Sequence, residues 1–353
     1  MAFRLLISAA TVLPLVSACY SPQLGEGFRC DPDGACPTDF ACVSGRCFRQ
    51  RWTLRRPPVS PSARTNHAMA FDPVRGTTVL FGGLDGSGGV LDDTWEWNGT
   101  TWIERQPVTR PPARREHAMS YDSARQNIVL FGGRDAASGQ FADTWEWDGT
   151  TWTLACTSCG PTARSGHVLA FDEERNATVM FGGDEILAGG AIQYFDDTWI
   201  WSGSSTSWQP SSAPTRPPAR IFSAMAFDGG RRTVVLFGGF NADGELGDDW
   251  EWNGTEWIAI TGGVVHPEPR HDHAMVYDAD DDVLVMYGGY NGAYLDDTWQ
   301  RDASGAWGQV GSMNPSRRAW HAMAYDRARH RIVLFGGWDQ TMASPPLGDT
   351  WEY

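Results

Sequence analysis

Six Gly-Gly pairs recur along this chain, each closing a short apolar run: VLFGG at Gly82-Gly83 and Gly132-Gly133, VMFGG at Gly182-Gly183, VLFGG at Gly238-Gly239, VMYGG at Gly288-Gly289 and VLFGG at Gly336-Gly337. Successive pairs lie 50, 50, 56, 50 and 48 residues apart. A repeat of this length is one supersecondary unit that cannot bury its apolar face alone, so its copies must pack on one another. Around each pair the same order recurs: Arg-x-x-His-Ala-Met-Ala-Phe-Asp, Val-Leu-Phe-Gly-Gly, Asp-Thr-Trp-Glu-Trp, then Thr-Trp. Four strand-like runs per unit are the content of one propeller blade, with strands a to d running from the axis outward.

The runs differ in ways that suit those places. Strand a alternates small residues, Ala68 and Ala70, with Met69 and Phe71, which fits a strand crowded on one face by its counterparts around an axis. Strand b is apolar throughout, as a strand covered on both faces should be. Strand c sets Trp95 and Trp97 on one face for packing against a neighbouring blade. Asn98-Gly99, Asp148-Gly149 and Asn253-Gly254 predict tight c–d turns. The last unit ends at Trp351-Glu352-Tyr353 without a strand d, while Arg51-Trp52-Thr53-Leu54 at the other end matches Thr151-Trp152-Thr153-Leu154. The N-terminal segment is therefore expected to fill the outer place of the last blade, because an unpaired C-terminal strand would leave an open edge. The fold class is all-β: a six-bladed propeller with four-stranded blades over residues 51–353, the last completed by the N-terminal strand and the whole preceded by a small disulfide-rich segment.

A glycine doublet after a buried strand at this period resembles the kelch family over all of the chain after residue 50. The resemblance implies a propeller of the galactose oxidase/kelch-like superfamily, with the b–c and d–a loops on one face. The repeat absorbs sixteen of eighteen tryptophans as core, leaving Trp320 and Trp338 outside the pattern. His67, His117, His167, His273 and His321 open strand a, with Ser223 in the fourth unit; the structural expectation is imidazoles hydrogen-bonded to backbone between blades, not a metal site. Arg64, Arg114, Arg164, Arg220, Arg270 and Arg318 match Asp93, Asp143, Asp197, Asp248, Asp297 and Asp349 one for one, which predicts partly buried ion pairs.

Function is sought where the repeats differ, since loop variation on a rigid scaffold carries recognition. Glu116, Phe222, His271, Asp272, Trp320 and Trp338 form the candidate binding rim. The reading is a non-catalytic binding or scaffolding module for a protein or glycan partner, with no catalytic, cofactor or metal residue assigned. The alternative is a carbohydrate-modifying enzyme, since kelch-type propellers form the body of galactose-oxidase-like copper oxidases and sialic-acid mutarotases. Copper chemistry of that kind needs a cysteine crosslinked to tyrosine, and the propeller's Cys156 and Cys159 lie beside an outer strand d. A mutarotase-like site could draw on Glu116, His271 and Arg115.

The N-terminus adds a cellular expectation. Arg4, the apolar run Leu5 to Val16 and the small residues after it follow the pattern of an export signal. Val16-Ser17-Ala18-Cys19 resembles the lipobox of bacterial lipoproteins, which implies a signal peptide over 1–18, lipid attachment at Cys19, a Cys-rich stalk over 19–50 and anchoring to the bacterial envelope. An ordinary signal cleaved near Ala18, giving a secreted protein, is the other reading. Export suits disulfides: Cys30, Cys36, Cys42 and Cys47 in a segment too short for its own core, and Cys156 with Cys159 in a small loop. A net charge of −15, with acidic residues in every repeat, argues against a nucleic-acid partner.

Overall fold

The structure is a computed structural model that describes residues 51–203, 207–261, 265–310, 315–339 and 345–353, together with the backbone of Phe28–Arg29, Phe40–Val43 and Arg46–Arg49. The chain divides into two compact units, Met1–Arg49 and Gln50–Tyr353. In the first, Arg46–Arg49 is the middle strand of a three-stranded antiparallel sheet, with Cys42 and Cys47 opposite in backbone register. The export signal, Cys19, Cys30 and Cys36 lie outside the described residues, as do the side chains of Cys42 and Cys47.

The second unit consists of six antiparallel sheets of the predicted order. Blade 1 runs Ala68–Asp72, Thr77–Asp85, Val90–Trp97 and Trp102–Arg105 as strands a to d. Blades 2 to 5 begin at Ala118, Val168, Ala224 and Ala274, and the a strands neighbour one another in a closed ring, blade 6 against blade 1 included. Blade 6 has Ala322–Asp326, Arg331–Phe335 and Thr350–Glu352 from the C-terminus, and its fourth strand is Thr53–Arg55, paired Thr350 to Arg55 and Glu352 to Thr53. The ring is thus closed by one sheet that both ends of the second unit build, as the sequence predicts.

Packing between blades explains the repeat. Both faces of strand a meet neighbouring sheets: Ala68 and Ala70 receive Met119 of blade 2, while Met69 and Phe71 pack toward Ala324 of blade 6. Small residues on one face thus match the methionine of the next blade. Further out, the strand d tryptophan of each blade reaches strand c of the blade before it. Trp102 Nε1 donates to Thr350 Oγ1 at 2.9 Å, Trp152 to Thr94 at 3.0 Å, Trp208 to Thr144 at 3.0 Å, Trp257 to Thr198 at 2.9 Å and Trp52 to Thr298 at 3.0 Å. Each indole is buried, so the hydrogen bond removes the cost of enclosing its N–H while the ring fills the seam.

The glycine doublet has a steric cause. Both residues take positive φ, and a Cβ would stand 2.6 Å from the Arg114 carbonyl oxygen at Gly82 and 2.6 Å from the Thr65 carbonyl oxygen at Gly83. That close approach lets Gly83 N–H donate to Arg114 of the next blade at 2.9 Å, a bond repeated at every seam and closed by Gly337 to Arg64 at 2.9 Å. The arginines form the predicted pairs within each blade. Arg64 grips Asp93 through both terminal nitrogens at 2.6 and 2.7 Å and also donates to Gly82 O at 2.9 Å, while Trp95 Nε1 holds the same aspartate at 2.7 Å. The arginine side chain is 0% exposed, and its fork is filled by partners of fixed geometry.

One local expectation changes. The c–d connection is a four-residue loop, not a two-residue turn: Trp97 pairs with Trp102, and Asn98 Oδ1 accepts from the amides of Thr100 and Thr101 at 2.9 and 3.0 Å. Gly99 is needed there because its φ is +92°, a conformation that side chains rarely adopt, and Arg329 from an a–b turn of blade 6 lies over it. The repeat histidines stand edge-on to the strand b aromatic of the preceding blade, as with His117 on Phe81 at 5.5 Å, and His67, His117, His167 and His321 also meet the backbone of that residue. Cys156 and Cys159 are joined by a disulfide, which closes a short loop after strand d of blade 2.

Candidate ligand site at the propeller mouth

Between arginine and histidine of each repeat the chain turns back toward the axis through one left-handed residue. Asn66, Glu116, Gly166, Phe222, Asp272 and Trp320 hold this place, with φ between 54 and 66°. Their backbones form a closed belt: Glu116 N–H donates to Asn66 O, Gly166 to Glu116, Phe222 to Gly166, Asp272 to Phe222, Trp320 to Asp272 and Asn66 to Trp320, all at 2.8–3.1 Å. The belt fixes the left-handed conformation whatever the side chain. Gly166 accepts it freely and Asn66 and Asp272 readily, while for a bulky residue such as Phe222 or Trp320 it costs roughly 1–2 kcal/mol. A Cβ at Gly166 would press on the Phe222 ring at 3.0 Å, so the one glycine leaves room for its neighbour's aromatic.

These six residues surround a cavity of about 140 Å³ at the mouth, whose wall is completed by the five repeat histidines and Ser223. The rim beside it is built by short pairings between each d–a segment and the residue after the glycine doublet, among them Arg115 with Arg134, His271 with Tyr290 and Ala319 with Trp338. The b–c and d–a loops therefore share one face. Of the rim candidates, Glu116, Phe222, Asp272 and Trp320 line the cavity, while His271 and Trp338 stand one step outside it on the rim.

The mouth has two unlike sides. Over blades 4 to 6 runs an arc of rings: His271 lies 5.3 Å from Phe240 and 5.5 Å from Tyr290, Tyr290 is 5.1 Å from Tyr294, and Tyr294 is 5.9 Å from Trp320. Sequence reasoning missed Phe240, Tyr290 and Tyr294; their place directly after the glycine doublet, or a few residues on, was the available signal. Over blades 2 and 3 the rim is charged and polar. Glu116 Oε1 accepts from Arg115 at 2.9 Å and Arg134 at 2.5 Å, and Gln140 bridges to Ser165 Oγ and the Asp184 carbonyl oxygen at 3.0 and 2.9 Å.

Blades 2 and 5 are opposite in the ring, so Glu116 and Asp272 face each other across the axis. Burial raises the pKa of Glu116, opposed by Arg134 and Arg115 and reinforced by Asp272. Burial likewise raises Asp272, against which His271 supplies an Nδ1 contact of 2.6 Å and Trp320 a further hydrogen bond. The histidines beneath are driven the other way: burial, aided by the repeat arginines, lowers His67 and His167 to about 3. They are neutral at physiological pH. Among the described residues, no three His, Cys, Asp or Glu side chains gather as a metal-ligating group.

At the far mouth a cavity of about 500 Å³ is lined by the inner-strand methionines, alanines and aromatics, such as Met69, Ala70 and Phe71. There Arg327 of blade 6 and Glu173 of blade 3 form an ion pair between opposite blades.

Fold and seams define a six-bladed propeller of the kelch kind, a scaffold that generally mediates protein binding. Residues 150–337, just over half of the chain, match the family model described as the KLHDC2/KLHL20/DRC7 Kelch-repeats domain, and the chain belongs to this kelch-repeat family. No curated protein matches it.

Proposed function

We propose that the protein is a non-catalytic binding module, held at a bacterial envelope through Cys19 and its Cys-rich stalk, that takes a protein or glycan ligand at the mouth formed by its d–a and b–c loops. The observation that carries this is the belt: in five of six blades a residue other than glycine is held at positive φ with its side chain on the mouth cavity, and two of them are Phe222 and Trp320. Backbone strain of this kind, retained where glycine would relieve it, belongs to sites that present side chains to a ligand. Membrane attachment rests on the lipobox resemblance alone.

The test is a glycan array and a peptide-display selection on the full chain, comparing the parent with Trp320→Gly at this mouth and Arg327→Ala at the other. Ligands lost with Trp320→Gly and kept with Arg327→Ala support the reading. The reverse pattern would move the site to the far mouth. A sugar-isomerase reading would use Glu116, Arg115 and His271, and it is separated by assaying any glycan hit for turnover with Glu116→Gln.

A further inference from the structure

We infer that the mouth is built to receive one neutral, hydroxyl-rich ring, the terminal residue of a glycan inserted along the propeller axis. This rests on the mouth being the binding site and adds the chemistry of what enters it.

Size sets the first limit. A cavity of about 140 Å³ has room for about five waters at ~30 Å³ each, or a ring of comparable bulk. It is far below the ~300 Å³ where sites for drug-sized ligands begin. Whatever docks on the rim inserts a terminal group.

Charge sets the second. Glu116 already holds two arginines through Oε1, and Asp272 is engaged by His271 and Trp320. No carboxylate or guanidinium in the cavity wall is left to be neutralised by a ligand of opposite sign. What remains is hydrogen-bonding capacity. Glu116 Oε2 is buried without a partner on a side chain 4% exposed, and both ring nitrogens of His273 are likewise unpartnered. A neutral imidazole offers one donor and one acceptor, and a carboxylate oxygen offers acceptors only. An ammonium group could serve just the acceptors and an anion just the donors. A hydroxyl group serves both.

Shape sets the third. Phe222 and Trp320 line the same cavity, and the aromatic arc continues outward from Trp320 through Tyr294 and Tyr290. A sugar ring carries hydroxyls at its edge and apolar C–H groups on its faces, so it can stack on an aromatic while its edge meets polar atoms. The geometry gives an aromatic platform on blades 4 to 6 with Glu116 opposite.

The experiment is saturation-transfer NMR and calorimetry on the full chain with methyl glycosides of neutral hexoses and N-acetylhexosamines. N-acetyl-lysine methylamide and methyl glucuronide serve as the cationic and anionic probes. A neutral glycoside should bind at millimolar concentration, and both Glu116→Gln and Trp320→Gly should weaken it by about tenfold or more, Trp320→Gly without lowering the melting temperature. A merely structural role for Trp320 would not give that combination, because glycine at this position relieves the backbone. Binding of only a charged probe, lost in the same variants, overturns the neutral-ring inference while the mouth stands. Glycoside binding indifferent to both variants overturns the site. Silence of every glycoside overturns the inference, and the mouth is then judged by whether display-selected ligands depend on Trp320.

Discussion

The seam between blades 1 and 2 and that between blades 4 and 5 occupy equivalent places and are built from different chemistry. In the first, Trp152 lies on Trp147 at 5.4 Å and on Phe81 at 5.2 Å, and its N–H meets Thr94. In the second, Asp249 replaces that threonine and Arg301 replaces the strand c tryptophan. Arg301, 0% exposed, contacts Asp249 at 3.1 Å and Glu251 at 2.6 Å, while Trp307 donates to Asp249 at 2.9 Å. The aspartate requires the arginine: Asp249 without Arg301 would be a buried, unpaired charge, whereas Arg301 also has Glu251. A repeat can therefore drift at a seam, but only by paired changes on facing blades.

The largest expected effect comes from breaking the regular type of seam where the two ends of the chain meet. Deleting residues 51–55 removes Trp52, 0% exposed, and the outer strand of blade 6. Loss should exceed the ~3–5 kcal/mol of one buried tryptophan, read by urea unfolding; a truncated chain that melts with the parent would refute closure by this strand. At the ionic seam, Arg301→Leu should cost about 3–5 kcal/mol because it strands Asp249, while Glu251 keeps Arg231. Adding Asp249→Thr and restoring tryptophan with Arg301→Trp converts the seam to the regular type and should recover that loss, ending between the parent and about 3 kcal/mol above it. If the double variant is no better than Arg301→Leu, the two positions are not exchanging as a pair.

The smallest effect separates blade 4, with Ser223, from the five blades that carry a buried histidine. Folding lowers these histidine pKa values, to about 3 for His67 and His167, so between pH 6.5 and 3 the unfolded chain binds more protons than the folded one. Stability is then complete above 6.5 and declines as pH falls, by at most about 1.4 kcal/mol per unit for each histidine. His117→Ser, copying blade 4, should flatten that acid slope in thermal melts at stepped pH. An unchanged slope would mean that His117 takes up its proton without unfolding.

Much of this architecture was legible in the chain. The glycine doublets counted the blades, the alternation of strand a and the Thr-Trp of strand d named the packing faces, and Arg51-Trp52-Thr53-Leu54 announced how the ring closes. These are local signals, repeated, and a repeat fixes each contact by fixing its copies. The matched arginines and aspartates could be paired by number alone. The mouth was legible only as a set of differing residues, without its order or conformation. That Asn98-Gly99 serves a four-residue loop under Arg329, that the histidines stand edge-on to the rings of the preceding blade, and that Arg301 answers Asp249 depend on which surface of one blade meets the next. The positive φ of Glu116, Phe222 and Trp320 is imposed by a hydrogen-bonded belt running through all six blades, against the preference of the residues themselves, and Glu116 faces Asp272 because six blades close one ring. Period and turn chemistry belong to neighbouring residues and can be read along the chain; opposition across an axis exists only once the ring has formed.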